Sequence, residues 1–179
     1  MWVTILFTAL ILGWAIWSYN RLVRDRERVK TGWSDIDVQL KRRHDLIPKL
    51  VAAVKQYAAY ESATLEAVSA RRSTSTANTD VENVGQVNEN EGLVAKELKQ
   101  LIAVAEQYPD LKTNASFLDL QKNLSNVEHH LQFARRYYNG AVRNLNTRID
   151  SFPDTLLARS FDFRKANFFE FEAAAENQQ

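Results

Sequence analysis

The sequence predicts an all-α protein: an N-terminal transmembrane helix followed by an antiparallel up-and-down bundle of three long or four helices. Three observations predict it. Residues 1–17 carry no charged side chain. Beyond them, apolar residues recur in alternating steps of three and four, which keeps one apolar stripe on each helix. Only five glycines and three prolines stand among 179 residues, few for the tight turns of an all-β chain. The expected organisation is an anchor at 1–19, a bundle at 20–152 with a flexible loop at about 73–88, and a phenylalanine-rich tail at 153–179.

The anchor reads MWVTILFTALILGWAIW. As a helix it rises roughly 26 Å, near the lower limit for crossing a bilayer core. Trp2 marks one end, and Trp14, Trp17 and Tyr19 mark the other, where aromatic belts sit. A cleaved signal peptide carries its positive charge before the apolar run and a small-x-small site after it. Here the order is reversed, because Arg21, Arg24, Arg26, Arg28 and Lys30 follow the run. The residues at the exit, Trp17-Ser18-Tyr19, make a poor cleavage site. By the positive-inside rule the basic flank stays in the cytoplasm, with a short N-terminus outside. Arg21 and Arg24 also fall where anionic lipid headgroups lie, diluted by Asp25 and Glu27.

The chain is organised around Arg28 to Val54. Val29, Trp33, Ile36, Leu40, Ile47, Leu50 and Val54 form one stripe, and Arg43 alone interrupts it. Two features depart from a plain amphipathic helix: the cluster Lys41-Arg42-Arg43-His44, and Pro48 behind it. Unbroken spacing through Pro48 argues for one kinked helix extending to about residue 72. The roughly 80 Å that 55 residues would span argues for a break, with Asp45 as N-cap and Pro48 in the first turn.

Arg71 to Asn88 is rich in Ser, Thr and Asn and reads as an exposed connection. Asn88 with Glu91 makes a capping pair for a helix from Glu89 to Tyr108, with Val94, Leu98, Leu101, Ala105 and Tyr108 on its stripe. Pro109-Asp110 stops it. The next helix starts either at Asn114 or at a Ser116–Asp119 capping box. Its seam is Phe117, Leu120, Leu124, Val127, Leu131, Ala134, Tyr138, Ala141, Leu145 and Phe152, with Arg148 at the one polar position. Pro153 ends it. The tail holds Phe161, Phe163, Phe168, Phe169 and Phe171, expected either to fold back onto the bundle or to form a docking patch at the membrane or on a partner.

Several chemistries are absent from the sequence. Without cysteine there is no disulfide, thiolate catalysis or Cys-bound zinc. No Glu has a His three residues later, as bundle di-iron sites require. Glu128-His129-His130 cannot aim its ligands to one side, because adjacent helical residues diverge by about 100°. No GxxxxGK[ST], GxSxG or HExxH motif occurs. With 23 basic and 22 acidic residues, no basic face for nucleic acid stands out. No enzyme, cofactor, metal or nucleic-acid partner is expected.

The run Trp33-Ser34-Asp35-Ile36-Asp37-Val38-Gln39-Leu40-Lys41-Arg42-Arg43-His44-Asp45-Leu46-Ile47-Pro48-Lys49-Leu50-Val51, after a transmembrane helix and Tyr19-Asn20-Arg21-Leu22-Val23, resembles the LemA family. Phe117-Leu118-Asp119-Leu120-Gln121, Ala134-Arg135-Arg136-Tyr137-Tyr138-Asn139, Phe152-Pro153 and Phe161-Asp162-Phe163 fall where that family has its corresponding segments. The departures are Tyr60-Glu61, Leu145-Asn146 and Asn167-Phe168-Phe169. The resemblance implies a bacterial inner-membrane protein with a soluble four-helix bundle. That count shifts the expectation at Pro48 towards a turn near His44. It supplies no reaction; some relatives are associated with organising magnetosome membranes.

The expected function is a membrane-anchored, non-enzymatic scaffold that contacts lipid and either self-associates or organises other membrane proteins at the bilayer surface. Lys41, Arg42, Arg43, His44, Phe161, Phe163, Phe168 and Phe169 form the candidate docking surface. The basic cluster has a second reading, internal ion pairs with Asp35, Asp37 and Asp45. The alternative function is an adaptor in envelope-stress or two-component-type signalling.

Overall fold

A computed structural model describes residues 1–57 and 84–169. Every regular element among them is helical: α1 (Trp2–Lys55), α2 (Val84–Ala105), α3 (Pro109–Lys112), α4 (Ala115–Asp150) and α5 (Asp154–Ser160). The all-α class and the long apolar N-terminal helix are as expected. Residues 58–83, which contain Tyr60, Glu61 and most of the expected connection, lie outside the described residues, as does Phe171.

The chain divides into two compact units. Among the described residues, 1–33 and 135–168 form the first, and those within 34–134 together with Phe169 the second. In the first unit α1 and α4 run antiparallel, since Ser18 meets Asp154, Asp25 meets Arg148 and Trp33 meets Tyr138. Gly32 permits a close approach there. A Cβ at Gly32 would stand 3.0 Å from Tyr138 Cα, a backbone atom that cannot swing aside. Leu22, Val29, Trp33, Tyr138, Val142, Leu145 and Ile149 fill the interior.

The second unit is built on one apolar cluster. Ile47, Leu50, Val51 and Val54 of α1 meet Val94, Leu98, Leu101 and Ala105 of α2, together with Leu111, Phe117 and Leu124. This cluster settles the question at Pro48. α1 contains Pro48 and continues to Lys55, so no turn occurs near His44. An interior proline costs about 3 kcal/mol, because it removes the hydrogen bond to the carbonyl four residues back. The four apolar side chains around and beyond Pro48 are each worth about 1.5–3 kcal/mol when buried, so the stripe outweighs the lost bond. α1 also passes residue 19 without a break.

At the ends of α2 and α4, two expected boundaries shift and one open start is decided. α2 begins at Val84, five residues before Glu89, because Val84 and Val87 extend the same three-four stripe and are buried. Residues 84–88 therefore belong to a helix and not to the connection, and Glu91 sits in the interior rather than in a cap. At the start of α4, Asn114 is the cap: its Oδ1 accepts the backbone N–H groups of Ser116 at 2.9 Å and Phe117 at 3.2 Å. At the other end, Phe152 lies beyond the helix and is exposed, while Ile149 takes the interior place. A straight helix drifts about 20° per heptad relative to a strict seven-residue repeat, so a seam extrapolated over five heptads ends on the wrong side.

Candidate functional site

In the N-terminal apolar segment, large apolar side chains from Trp2 to Ile16 are exposed. Only 6 % of its most apolar eighteen-residue window is buried by the rest of the protein. A core helix of a soluble protein would be covered; this one is bare. Trp2 and Trp17 are exposed, Trp14 is half-buried, and the Arg21 guanidinium lies 4.7 Å from the Trp17 ring centroid. Arg24 is exposed and Arg21 half-buried.

The tail returns to this level. The ring of Tyr19 meets Phe161 edge-on at 4.9 Å and Phe163 at 5.9 Å, and Arg26 lies over Phe163 at 5.2 Å. Asn146 then holds the tail by two bonds of 2.9 Å, donating from Nδ2 to the Ala166 carbonyl and accepting the Ala166 N–H at Oδ1. The Tyr138 hydroxyl donates to the Asn167 carbonyl at 2.9 Å. Burial pushes the Tyr138 phenol up to about 12. Phe163 and Phe169 are buried and have left the candidate docking surface, whereas Phe161 and Phe168 remain exposed. Covering two rings removes apolar area from water, and the other two stay open to solvent.

The basic cluster of α1 divides in the same way. Lys41 and Arg42 face solvent, and Lys41 Nζ bonds Asp37 at 2.6 Å. Arg43 and His44 are interior, contrary to their place in the candidate docking surface. Arg43 stands within ion-pair distance of Glu91 at 3.4 Å and Glu128 at 3.2 Å, and its Nη2 donates to the Glu91 carbonyl at 3.2 Å. His44 Nε2 is 3.0 Å from Glu91 Oε1. The internal pairing is thus made with α2 and α4; of the three nearby aspartates, only Asp37 takes part, through Lys41. Glu91 was missed in the sequence, although it occupies the stripe position between Val87 and Val94. A polar residue there is the signal.

The first unit has a second polar junction. Arg148 Nε donates to Asp25 Oδ2 at 2.6 Å and Nη1 to Asp154 Oδ2 at 3.4 Å, while the Ser18 hydroxyl donates to Asp154 Oδ1 at 2.6 Å. Arg28 pairs with Asp25 at 3.2 Å. On the exposed flank of α1, a hydrogen bond from Lys30 holds Glu27 below the usual carboxylate range.

His44 with Glu91 would orient a base in a hydrolase, but both are sealed, and the groove nearby is lined by Arg42, Asp45, Leu46, Asn123, Asn126, Val127 and His130 instead. His129 and His130 are exposed and stack edge-on, His129 also against Phe133 at 4.6 Å. Among the described residues no three His, Asp or Glu side chains gather as metal ligands would.

A bare apolar helix that continues into a helical bundle, tied by buried ion pairs, defines a membrane-associated helical-bundle protein. The LemA family model matches residues 32–179, and the chain belongs to that family. It is similar to Protein LemA of Metamycoplasma hominis, 28% identical over 93% of this chain and 77% of that one. It is also similar to Magnetosome protein MamQ 2 of Paramagnetospirillum magneticum, 22% identical over 98% and 73%. Magnetosome protein MamQ of Magnetospirillum gryphiswaldense is 20% identical over 97% and 72%.

Proposed function

We propose that this chain is a single-pass, non-enzymatic scaffold of the bacterial inner membrane, with its N-terminus outside and its bundle in the cytoplasm. The carrying observation is the uncovered apolar segment, bounded by Trp17 and Tyr19, onto which Phe161 and Phe163 fold back. Phe161 is exposed beside Tyr19, at the depth where an interfacial ring gains most. The arginines after the span set the orientation by the positive-inside rule. The bundle organises membrane proteins, including further copies of itself, through the exposed Lys41, Arg42, Phe161 and Phe168. Membership of the family that includes LemA, and similarity to proteins named for the magnetosome, support a membrane setting.

Crosslinking in cells, with a topology reporter fused to each terminus, tests sidedness and assembly together. The expected result is a reporter active inside at the C-terminus, with crosslinked homo-oligomers or membrane-protein adducts. A monomer without adducts sinks the scaffold reading. Stoichiometric capture of one signalling enzyme, without self-association, selects the adaptor instead.

A further inference from the structure

The first unit carries a groove of about 440 Å³ between α1 and α4. Arg21 and Arg28 stand on its α1 wall, and Arg143 and Arg148 on its α4 wall. The carboxylates in the groove, Asp25 and Asp154, are both taken up by Arg148, and Asp25 is almost fully buried. Four guanidiniums against two carboxylates leave two positive charges uncompensated. Arg28 keeps 61% of its side chain exposed despite its bond to Asp25. Arg143 is exposed and has no hydrogen bond or ion pair among the described residues. Asn144 and Thr147 add an amide and a hydroxyl on the same wall.

We propose that this groove binds a phosphate-bearing anion, clasped between the α1 arginines and Arg143. A planar guanidinium offers paired N–H donors that match two phosphate oxygens, and arginines from facing helices enclose such a group from two sides. Arg148 keeps the two aspartates turned inward, so the carboxylates do not repel the guest.

Two sources supply this chemistry, and depth separates them. Arg21 lies four residues beyond Trp17, about 6 Å along the helix, within a headgroup layer roughly 5–7 Å thick. Arg28 lies about 16 Å beyond Trp17, and antiparallel packing puts Arg143 near that level. A lipid phosphate reaches the Arg21 end, whereas a soluble phosphate fills the outer end. Only the lipid source rests on the membrane reading given above.

The test uses the full chain in nanodiscs. In discs of phosphatidylcholine alone, pyrophosphate is titrated by calorimetry. In discs with about one third phosphatidylglycerol, native mass spectrometry counts the anionic lipids retained. The variants are Arg143→Gln and Arg21→Gln, with exposed Arg24→Gln, outside the groove, as control. A hydrogen-bonded charge pair is worth about 1.5–3 kcal/mol, so groove variants lose about tenfold or more in affinity. Diffuse attraction is worth about 1 kcal/mol per arginine, so the control loses at most about fivefold. Pyrophosphate binding lost in Arg143→Gln supports the soluble source, and phosphatidylglycerol retention lost in Arg21→Gln supports the lipid. Equal losses in Arg24→Gln, or no binding of either probe, overturn the site. A chain that fails to enter discs overturns the membrane reading, and pyrophosphate titrated in detergent solution then judges the groove separately.

Discussion

Both units place an arginine of one helix against a carboxylate of another, yet the two junctions differ in access to water. In the second unit, Arg43 and Glu91 each retain 1% of their side-chain exposure. In the first, Arg148 retains 17% and borders an open groove. A sealed pair must satisfy its own charges, because removing one partner strands the other in a medium that cannot solvate it. A pair at a groove is rescued by water, so its loss is milder. The same chemistry therefore serves as a stability determinant in one unit and as a solvent-facing feature in the other.

Glu91→Leu is the largest way to test this contrast. It leaves Arg43 and His44 without their shared carboxylate and should lower unfolding free energy by about 3–5 kcal/mol in denaturant titrations followed by circular dichroism. Adding Arg43→Met should recover most of that loss. A double variant as unstable as the single one would mean the ion pair itself stabilises the fold.

Next comes Gly32→Ala in the first unit. The added methyl meets Tyr138 Cα at 3.0 Å, and separating two packed helices costs about 1–3 kcal/mol. An unchanged midpoint in the same titration would show that the helices separate freely there. Arg148→Met should then cost about 1–2 kcal/mol, below the Glu91 value, because Asp25 keeps its bond from Arg28 and Asp154 its bond from Ser18. A loss equal to that of Glu91→Leu would abolish the distinction between sealed and open junctions.

The smallest effect belongs to Tyr138, a sealed hydroxyl within the more open unit. Its folded-state pKa of about 12 lies above the usual value of 10.0. Between those values the unfolded chain loses the phenolic proton while the folded chain keeps it. Stability is thus fully present below pH 10 and declines as pH rises towards 12. Tyr138→Phe should remove this part of the alkaline slope, measured as the difference between the two pH profiles. Parallel profiles would show that water already reaches the ring.

Arg43 and Arg148 were both legible as breaks in an apolar stripe, and each turned out to be a junction. Glu91 was overlooked because an acidic residue three positions after Asn88 also fits a capping pair, and local pattern cannot separate the two uses. Phe152 was assigned to the seam by extending a strict heptad that an α-helix does not keep. The groove was not legible at all, since it is made of arginines whose helices meet only in the fold.

What the sequence alone determined was local: helix periodicity, the charge-free N-terminal run, the Asn114 cap as one of two starts, and the polar positions within the stripes. Only the tertiary structure decided partners, because Arg43 reaches Glu91 across 48 residues and Arg148 reaches Asp25 across 123. Such pairs depend on the register between helices, which periodicity within one helix does not encode. The same holds at Pro48, where the local cost of a proline argued for a turn and burial of Ile47, Leu50, Val51 and Val54 kept the helix whole.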